Sequence, residues 1–203
     1  MNLLILGATG RTGRLVTEKA LLRGHSVTAF VRKPSLPVGE RLTIVVGDPR
    51  RIDDLSAVLP GHDAVISCLG NSVPPDQGLV AASASAMLTA MNKENVRRYV
   101  VQSGALLFPS TNPVIIAMRM MMAAKLSDAR AMEQVVRASD IDWTIVRPPH
   151  LKDGVEAVGY RAKVDGRPNN NWASMQFTDL ADFMLDTVEN GNFIRQIVGV
   201  SAA

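Results

Sequence analysis

Short apolar runs alternate with helix-length segments from one end of this chain to the other, and that alternation constrains its fold more than any other feature. NLLIL (2–6), SVTAFV (26–31), LTIVVG (42–47), DAVISCL (63–69), RYVVQSG (98–104), DWTIVRPP (142–149) and RQIVGV (195–200) read as strands. Several are apolar throughout rather than alternating, as expected of strands covered on both faces. Between them lie helical stretches: Thr12 to Arg23, closed by Gly24; a short one in RIDDLSAVL; GLVAASASAMLTAMNKEN; one following LLFPSTNP and running through AKLSDARAMEQVVRAS; and FTDLADFMLDTVEN, with Thr178 as its candidate N-cap. Strand–helix alternation predicts a parallel α/β sheet with right-handed crossovers and helices on both sides. At 203 residues the expectation is one domain with a proper core. The Gly/Asn-rich stretch from 150 to 177 reads as a less regular insertion at the carboxyl edge of the sheet.

The first strand leads into GATGRTG, with glycines at 7, 10 and 13. Small residues allow a sharp turn, and the helix start that follows offers unpaired N–H groups and a partial positive charge to a pyrophosphate. Thr9, Arg11 and Thr12 sit in the same turn. The spacing is Gly-x-x-Gly-x-x-Gly, but it stands at the strand–turn–helix junction that a dinucleotide site requires. The fold expected is therefore Rossmann-like and doubly wound. At the end of the second strand an NAD site keeps an acidic residue for the adenosine ribose. This chain has Arg32 and Lys33 there, with Ser35 nearby. A guanidinium grips a 2′-phosphate bidentately, whereas a carboxylate repels it, so NADPH/NADP+ is the expected coenzyme. Asp48, in GDPR after strand three, can face the adenine amine or cap the next helix. Leu69 and Gly70, after strand four, fall beside the sugar and pyrophosphate.

Composition narrows the partners. A net charge of +3 spread over short clusters, with 4% aromatic residues, gives little to track or stack a nucleic acid. A local basic site for a small anion fits better. No apolar run approaches the roughly 20 residues of a membrane span. The opening segment lacks the charged start and apolar stretch of a signal peptide. A cytoplasmic monomer, free of membrane and nucleic acid, is expected. The single Cys68 reads as a reduced, buried thiol. No cluster has metal-ligand spacing. His25 and His62 read as surface loop residues. Met118, Met120, Met121 and Met122 cannot share one helical face. Core packing is expected of one face, with the others free to line a soft wall over a flat substrate.

Ser103, at the end of strand five, stands where many nicotinamide-dependent reductases pair a serine with Tyr-x-x-x-Lys. The only tyrosines are Tyr99 and Tyr160, and neither has a lysine four residues on. A carbonyl reductase needs a positioned acid. A flavin or a conjugated tetrapyrrole spreads the incoming charge and takes its proton from water, needing mainly to be held flat against the nicotinamide. Ser103 is a candidate to bond the nicotinamide amide or orient the acceptor, against a plain strand-end hydroxyl bonded to backbone. His150, behind two prolines, is a candidate proton source, against a residue that only shapes its loop.

GATGRTG, FVRKP, VVGD, SGALL and VRPPHLKDG together resemble the NmrA-like atypical short-chain dehydrogenase/reductases, nearest to the biliverdin reductase B or NADPH-dependent flavin reductase type, along nearly the whole chain. The resemblance implies phosphate contacts for Gly7, Thr9, Gly10, Arg11, Thr12 and Gly13 and a 2′-phosphate contact for Arg32. It implies adenine or ribose contacts for Asp48, Leu69 and Gly70, and places Pro148, Pro149, His150 and Leu151 beside the nicotinamide. That pattern has Thr-Ser-Ala after strand five, where this chain has Ser103-Gly104-Ala105. The segment 113–122 also departs from it.

Two readings follow: an NADPH-dependent reductase of planar acceptors such as a flavin, tetrapyrrole or quinone, and an NmrA-like sensor that holds NADP(H) without chemistry. Sugar-nucleotide epimerisation is disfavoured by length and by the missing Tyr-Lys pair. Arg32→Ala is expected to weaken NADPH roughly 10- to 100-fold, the worth of a charge-assisted hydrogen bond, and to spare NADH. Dissociation constants for both coenzymes check this, and an unchanged ratio removes Arg32 from the site.

Overall fold

The computed structural model describes residues 1–33, 39–70, 78–154, 157–169 and 173–203. Ser35, Pro74 and Pro75 lie outside the described residues. In chain order the elements are β1 (Asn2–Leu6), α1 (Arg11–Leu22), β2 (Ser26–Val31), β3 (Leu42–Val46), α2 (Ile52–Val58), β4 (Ala64–Ser67), α3 (Leu79–Glu94) and β5 (Arg98–Gln102). A 3-10 turn at Ala105–Leu107 follows, then α4 (Pro113–Met121), α5 (Ala123–Arg137), β6 (Asp142–Arg147), β7 (His150–Lys152), β8 (Tyr160–Val164), β9 (Ser174–Gln176), α6 (Phe177–Glu189) and β10 (Gln196–Ala202).

The main sheet has the order β3-β2-β1-β4-β5-β6-β10-β8. Every neighbouring pair is parallel except β10 with β8. The sheet is thus the doubly wound Rossmann arrangement that the alternation predicts. Strand order reverses between β1 and β4, which opens a crevice outside their carboxyl ends.

The apolar run of β1 shows why such strands do not alternate. Leu3 and Ile5 face a core layer with Val16 and Ala20 of α1 and Phe183 and Met184 of α6. Leu4 and Leu6 face the opposite layer with Leu55, Met87, Met91 and Met132. Successive side chains point to opposite faces, and both faces are buried. The turn after β1 is as tightly constrained. Gly7 has φ 75°, and a Cβ on Gly13 would lie 2.1 Å from the Gly7 carbonyl oxygen. Only glycine lets the first turn of α1 close onto the end of β1.

Several expectations are corrected. The single helix expected after LLFPSTNP and running through 139 is two helices, broken at Met122 (φ −103°, ψ 17°). Asn112 caps the first, accepting the Val114 N–H at 2.9 Å. A run of helix-favouring methionines gives no glycine or proline to mark the break. The methionines are not core: Met120 is 75% and Met121 87% exposed, and Ile115 is the buried anchor of α4. Thr178 does not cap α6, because Gln176 takes the N-cap position and Thr178 is buried inside the first turn. The stretch 150–177 is more regular than expected. β7 and β9 pair with each other, and β8 adds an antiparallel strand to the sheet edge. His25 is buried, 2.6 Å from Glu189 Oε1, and His62 lies 2.8 Å from Thr28 Oγ1. Both histidines tie elements together rather than decorate loops.

Gly13→Ala should lower the unfolding free energy by about 3 kcal/mol, the upper end of ordinary overpacking. Gly104→Ala, whose Cβ meets nothing within 4 Å, should stay within about 1 kcal/mol of the wild type. Urea denaturation of the two variants checks the contrast.

Candidate functional site

Two cavities meet at the carboxyl ends of the strands. The smaller, about 120 Å³, is lined by Gly7, Thr9, Gly10, Arg32, Pro49, Leu69 and Gly70, among others. The larger, about 810 Å³, takes in Arg11, Leu69, Gly70, Ser103, Pro148, Pro149, His150 and Leu151. Leu69 and Gly70 belong to both, so one crevice runs from the glycine turn to the ends of β5 and β6.

Gly10 is the N-cap of α1, and the first backbone N–H to find a partner inside the helix is that of Arg14, bonded to the Gly10 carbonyl at 2.9 Å. The N–H groups of Arg11, Thr12 and Gly13 therefore remain at the helix start, beside the smaller cavity. Thr12 and Gly13 are buried and line neither cavity, so they can act through backbone only. The Arg11 guanidinium lies 4.5 Å over the Phe177 ring at the mouth of the large cavity. Arg32 stands at the rim of the small one, whereas Lys33 is exposed and lines neither.

Asp48 is already engaged. Arg50 grips its carboxylate with Nε at 2.9 Å and Nη2 at 2.6 Å, and the Arg50 backbone N–H donates to Oδ1 at 3.0 Å. These bonds, the side-chain one foremost, hold its carboxyl down to about 2. A folded value below the unfolded one, about 3.9, stabilises the turn above about pH 4 and is lost as pH falls towards 2. Asp48 lines neither cavity and does not cap α2, whose N-cap is Arg51. Burial pushes the Cys68 thiol up to about 12, so it is a thiol at neutral pH.

The ends of β5 and β6 are stitched together: the Ser103 N–H donates to the Val146 carbonyl at 2.7 Å and the Ala105 N–H to the Pro148 carbonyl at 2.8 Å. Ser103 is no plain strand-end hydroxyl. Its Oγ donates to Glu133 Oε1 at 2.6 Å. The same carboxylate receives the Arg147 fork, with Nε at 2.9 Å on Oε1 and Nη2 on Oε2. Arg147 also lies 4.6 Å over the Phe108 ring. His150 is exposed at the cavity edge, and its imidazole bonds to no described residue. Both tyrosines are committed elsewhere. Tyr99 is buried in the core, and Tyr160 donates to Asp186 Oδ2 at 2.5 Å. Leu106, Ile115, Met118, Met122, Leu126 and Met132 make the apolar wall.

Sequence reasoning missed Glu133 and Arg147. A signal was present, because Leu126, Ala129, Glu133 and Val136 follow helical spacing along one stripe of α5. A carboxylate within an apolar stripe requires a buried cation, and Arg147 closes the apolar strand DWTIVR.

Residues 7–191 match the family described as NAD(P)H-binding. The chain belongs to that NAD(P)H-binding family. A chloroplastic protein of Arabidopsis thaliana is 27% identical over 165 residues, 73% of this chain and 59% of that protein, so the chain spans less than two thirds of that relative's length. A short-chain dehydrogenase/reductase of Veillonella parvula, solved in complex with NADP, superposes with TM-score 0.80 at 21% identity, covering 98% of this chain and 94% of that one. A Streptococcus pneumoniae protein assigned as an NADH-flavin reductase does so with TM-score 0.79 at 24% identity over both chains in full. These likenesses show the Rossmann fold. No helix among the described residues is long and apolar enough to cross a membrane.

The buried pair gives a stability prediction. Glu133→Ala should cost about 3–5 kcal/mol by stranding Arg147, whereas Glu133→Leu with Arg147→Met should fall within about 1 kcal/mol of wild type or above it. Denaturant midpoints of the two variants check the difference.

Proposed function

We propose that the protein is an NADPH-dependent reductase that delivers hydride to a planar conjugated acceptor, a flavin such as FMN or a biliverdin-like tetrapyrrole. The observation that carries this reading is the large cavity. It opens at the carboxyl ends of β5 and β6, adjoins the glycine turn at Leu69 and Gly70, has an apolar wall, and contains no tyrosine among its described lining residues. A flat acceptor can lie in such a space, and one that delocalises charge does not require a tyrosine acid.

The coenzyme fits the residues present. Glycine at positions 7 and 13 leaves room where a Cβ would meet backbone, and the α1 amides face a pyrophosphate. Arg32, which lines the small cavity, takes the 2′-phosphate with its guanidinium. Lys33 lends at most long-range charge. Asp48, bound to Arg50, supports the turn that carries Pro49 rather than reading adenine. NADPH, when bound, supplies the hydride. Ser103, Pro148 and Leu151 flank the nicotinamide end, and His150, exposed at the rim, can pass a proton to the reduced acceptor. The sensor reading draws its support from the exposed apolar face of α4, which suits a protein partner.

The test is loss of NADPH absorbance with excess FMN, then biliverdin, then a simple quinone. Turnover with FMN or biliverdin is expected, with His150→Ala slowing the step. Tight NADPH binding without turnover on any acceptor would favour the sensor.

A further inference from the structure

The wall of the large cavity between β5 and β6 holds a chain of three side chains that hydride transfer does not by itself explain. Glu133 is 4% and Arg147 9% exposed. Glu133 does not line the cavity, but both its partners do: Arg147, and Ser103, whose Oγ lies 2.6 Å from Glu133 Oε1. A serine hydroxyl has one hydrogen and two lone pairs. A carboxylate that holds a guanidinium on both oxygens has only acceptor capacity, so the Ser103 hydrogen is committed to Glu133. What the hydroxyl can offer the cavity is a lone pair. A buried ion pair contributes little net stability compared with apolar residues of the same volume. Its placement directly behind a cavity hydroxyl therefore points to orientation.

We infer that Glu133 is a positioning residue: clamped by Arg147, it fixes the Ser103 hydroxyl as a hydrogen-bond acceptor towards the cavity, where it receives an N–H of the nicotinamide carboxamide. The inference rests on the coenzyme reading above but not on the identity of the acceptor. It has a chemical consequence. Ser103 cannot supply the proton that completes reduction while its own hydrogen is held by Glu133, so that proton comes from His150 or water. The arrangement differs from a serine that polarises a substrate carbonyl, which must donate.

The 3-acetylpyridine analogue of NADP+ tests this at equilibrium, because it keeps the carbonyl of the carboxamide and replaces its N–H₂ with a methyl group. By titration calorimetry the wild type should bind NADP+ about 5-fold more tightly than the analogue, the worth of one ordinary hydrogen bond. The ratio should fall to about 1 in Ser103→Ala. It should also fall to about 1 in Glu133→Leu with Arg147→Met, where the serine hydrogen is released. Affinity for 2′,5′-ADP should stay at the wild-type value in both variants, showing that the fold and the adenosine end are intact. A wild-type ratio of about 1, or a ratio of about 5 that survives in the folded double variant, overturns the inference. Should the double variant not fold, Glu133→Gln takes its place. Arg147 Nη2 retains the amide oxygen there, the Nε bond is lost, and the amide N–H₂ turns to Ser103, so a ratio near 1 is again expected and one of about 5 overturns the proposal. Failure of the wild type to bind either dinucleotide would overturn the coenzyme reading itself.

Discussion

The close approach of α1 to β1 sets the geometry on which the rest of the site depends. With no side chain at Gly13, the first helical turn sits against the Gly7 carbonyl, and a single Cβ would fall 2.1 Å from that oxygen. Gly7 itself turns with positive φ beneath the backbone of Cys68. The helix start is thereby held at the point where strand order reverses, its amides aimed into the crevice. From there Leu69 and Gly70 lead to the ends of β5 and β6. Loosening the first contact would move the amides away from the crevice and separate the two cavities.

Charge is distributed along this crevice with a clear division of labour. At the adenosine end, Arg32 lines the small cavity, while Asp48, within its electrostatic reach, is gripped by Arg50. Towards β6, Arg147 lines the cavity but is compensated by Glu133, which also holds the Ser103 hydroxyl. A cation that lines the cavity at the first position suits an anion. A neutralised one at the second sets the direction of a hydrogen bond without attracting anything.

The fold was legible because its strands are apolar on both faces, a pattern that few arrangements other than a helix-covered parallel sheet can satisfy. Legibility failed where local sequence carried no punctuation. The break at Met122 interrupts a run of good helix formers, with no glycine or proline to announce it. β7 and β9 are three residues each, too short for a period to register. Site residues tied to backbone geometry, such as Gly7, Gly10 and Gly70, could be placed from strand ends. Those defined by the partner they choose could not: Asp48 with Arg50 was hidden by the choice between competing hydrogen bonds, and Ser103 with Glu133 by a separation of thirty residues. His25 reads as a loop residue until α6 brings Glu189 against it.

The central claim is electrostatic: the crevice after β1 and β2 is built for a dinucleotide carrying a third phosphate. Titrating the protein with adenosine 2′,5′-bisphosphate and with adenosine 5′-monophosphate isolates that claim from any chemistry at the far end. The account predicts that the 2′-phosphate tightens binding at least about 10-fold at low salt, with the advantage shrinking as salt screens the guanidinium. Equal affinities, or a preference for the nucleotide without the 2′-phosphate, would contradict it.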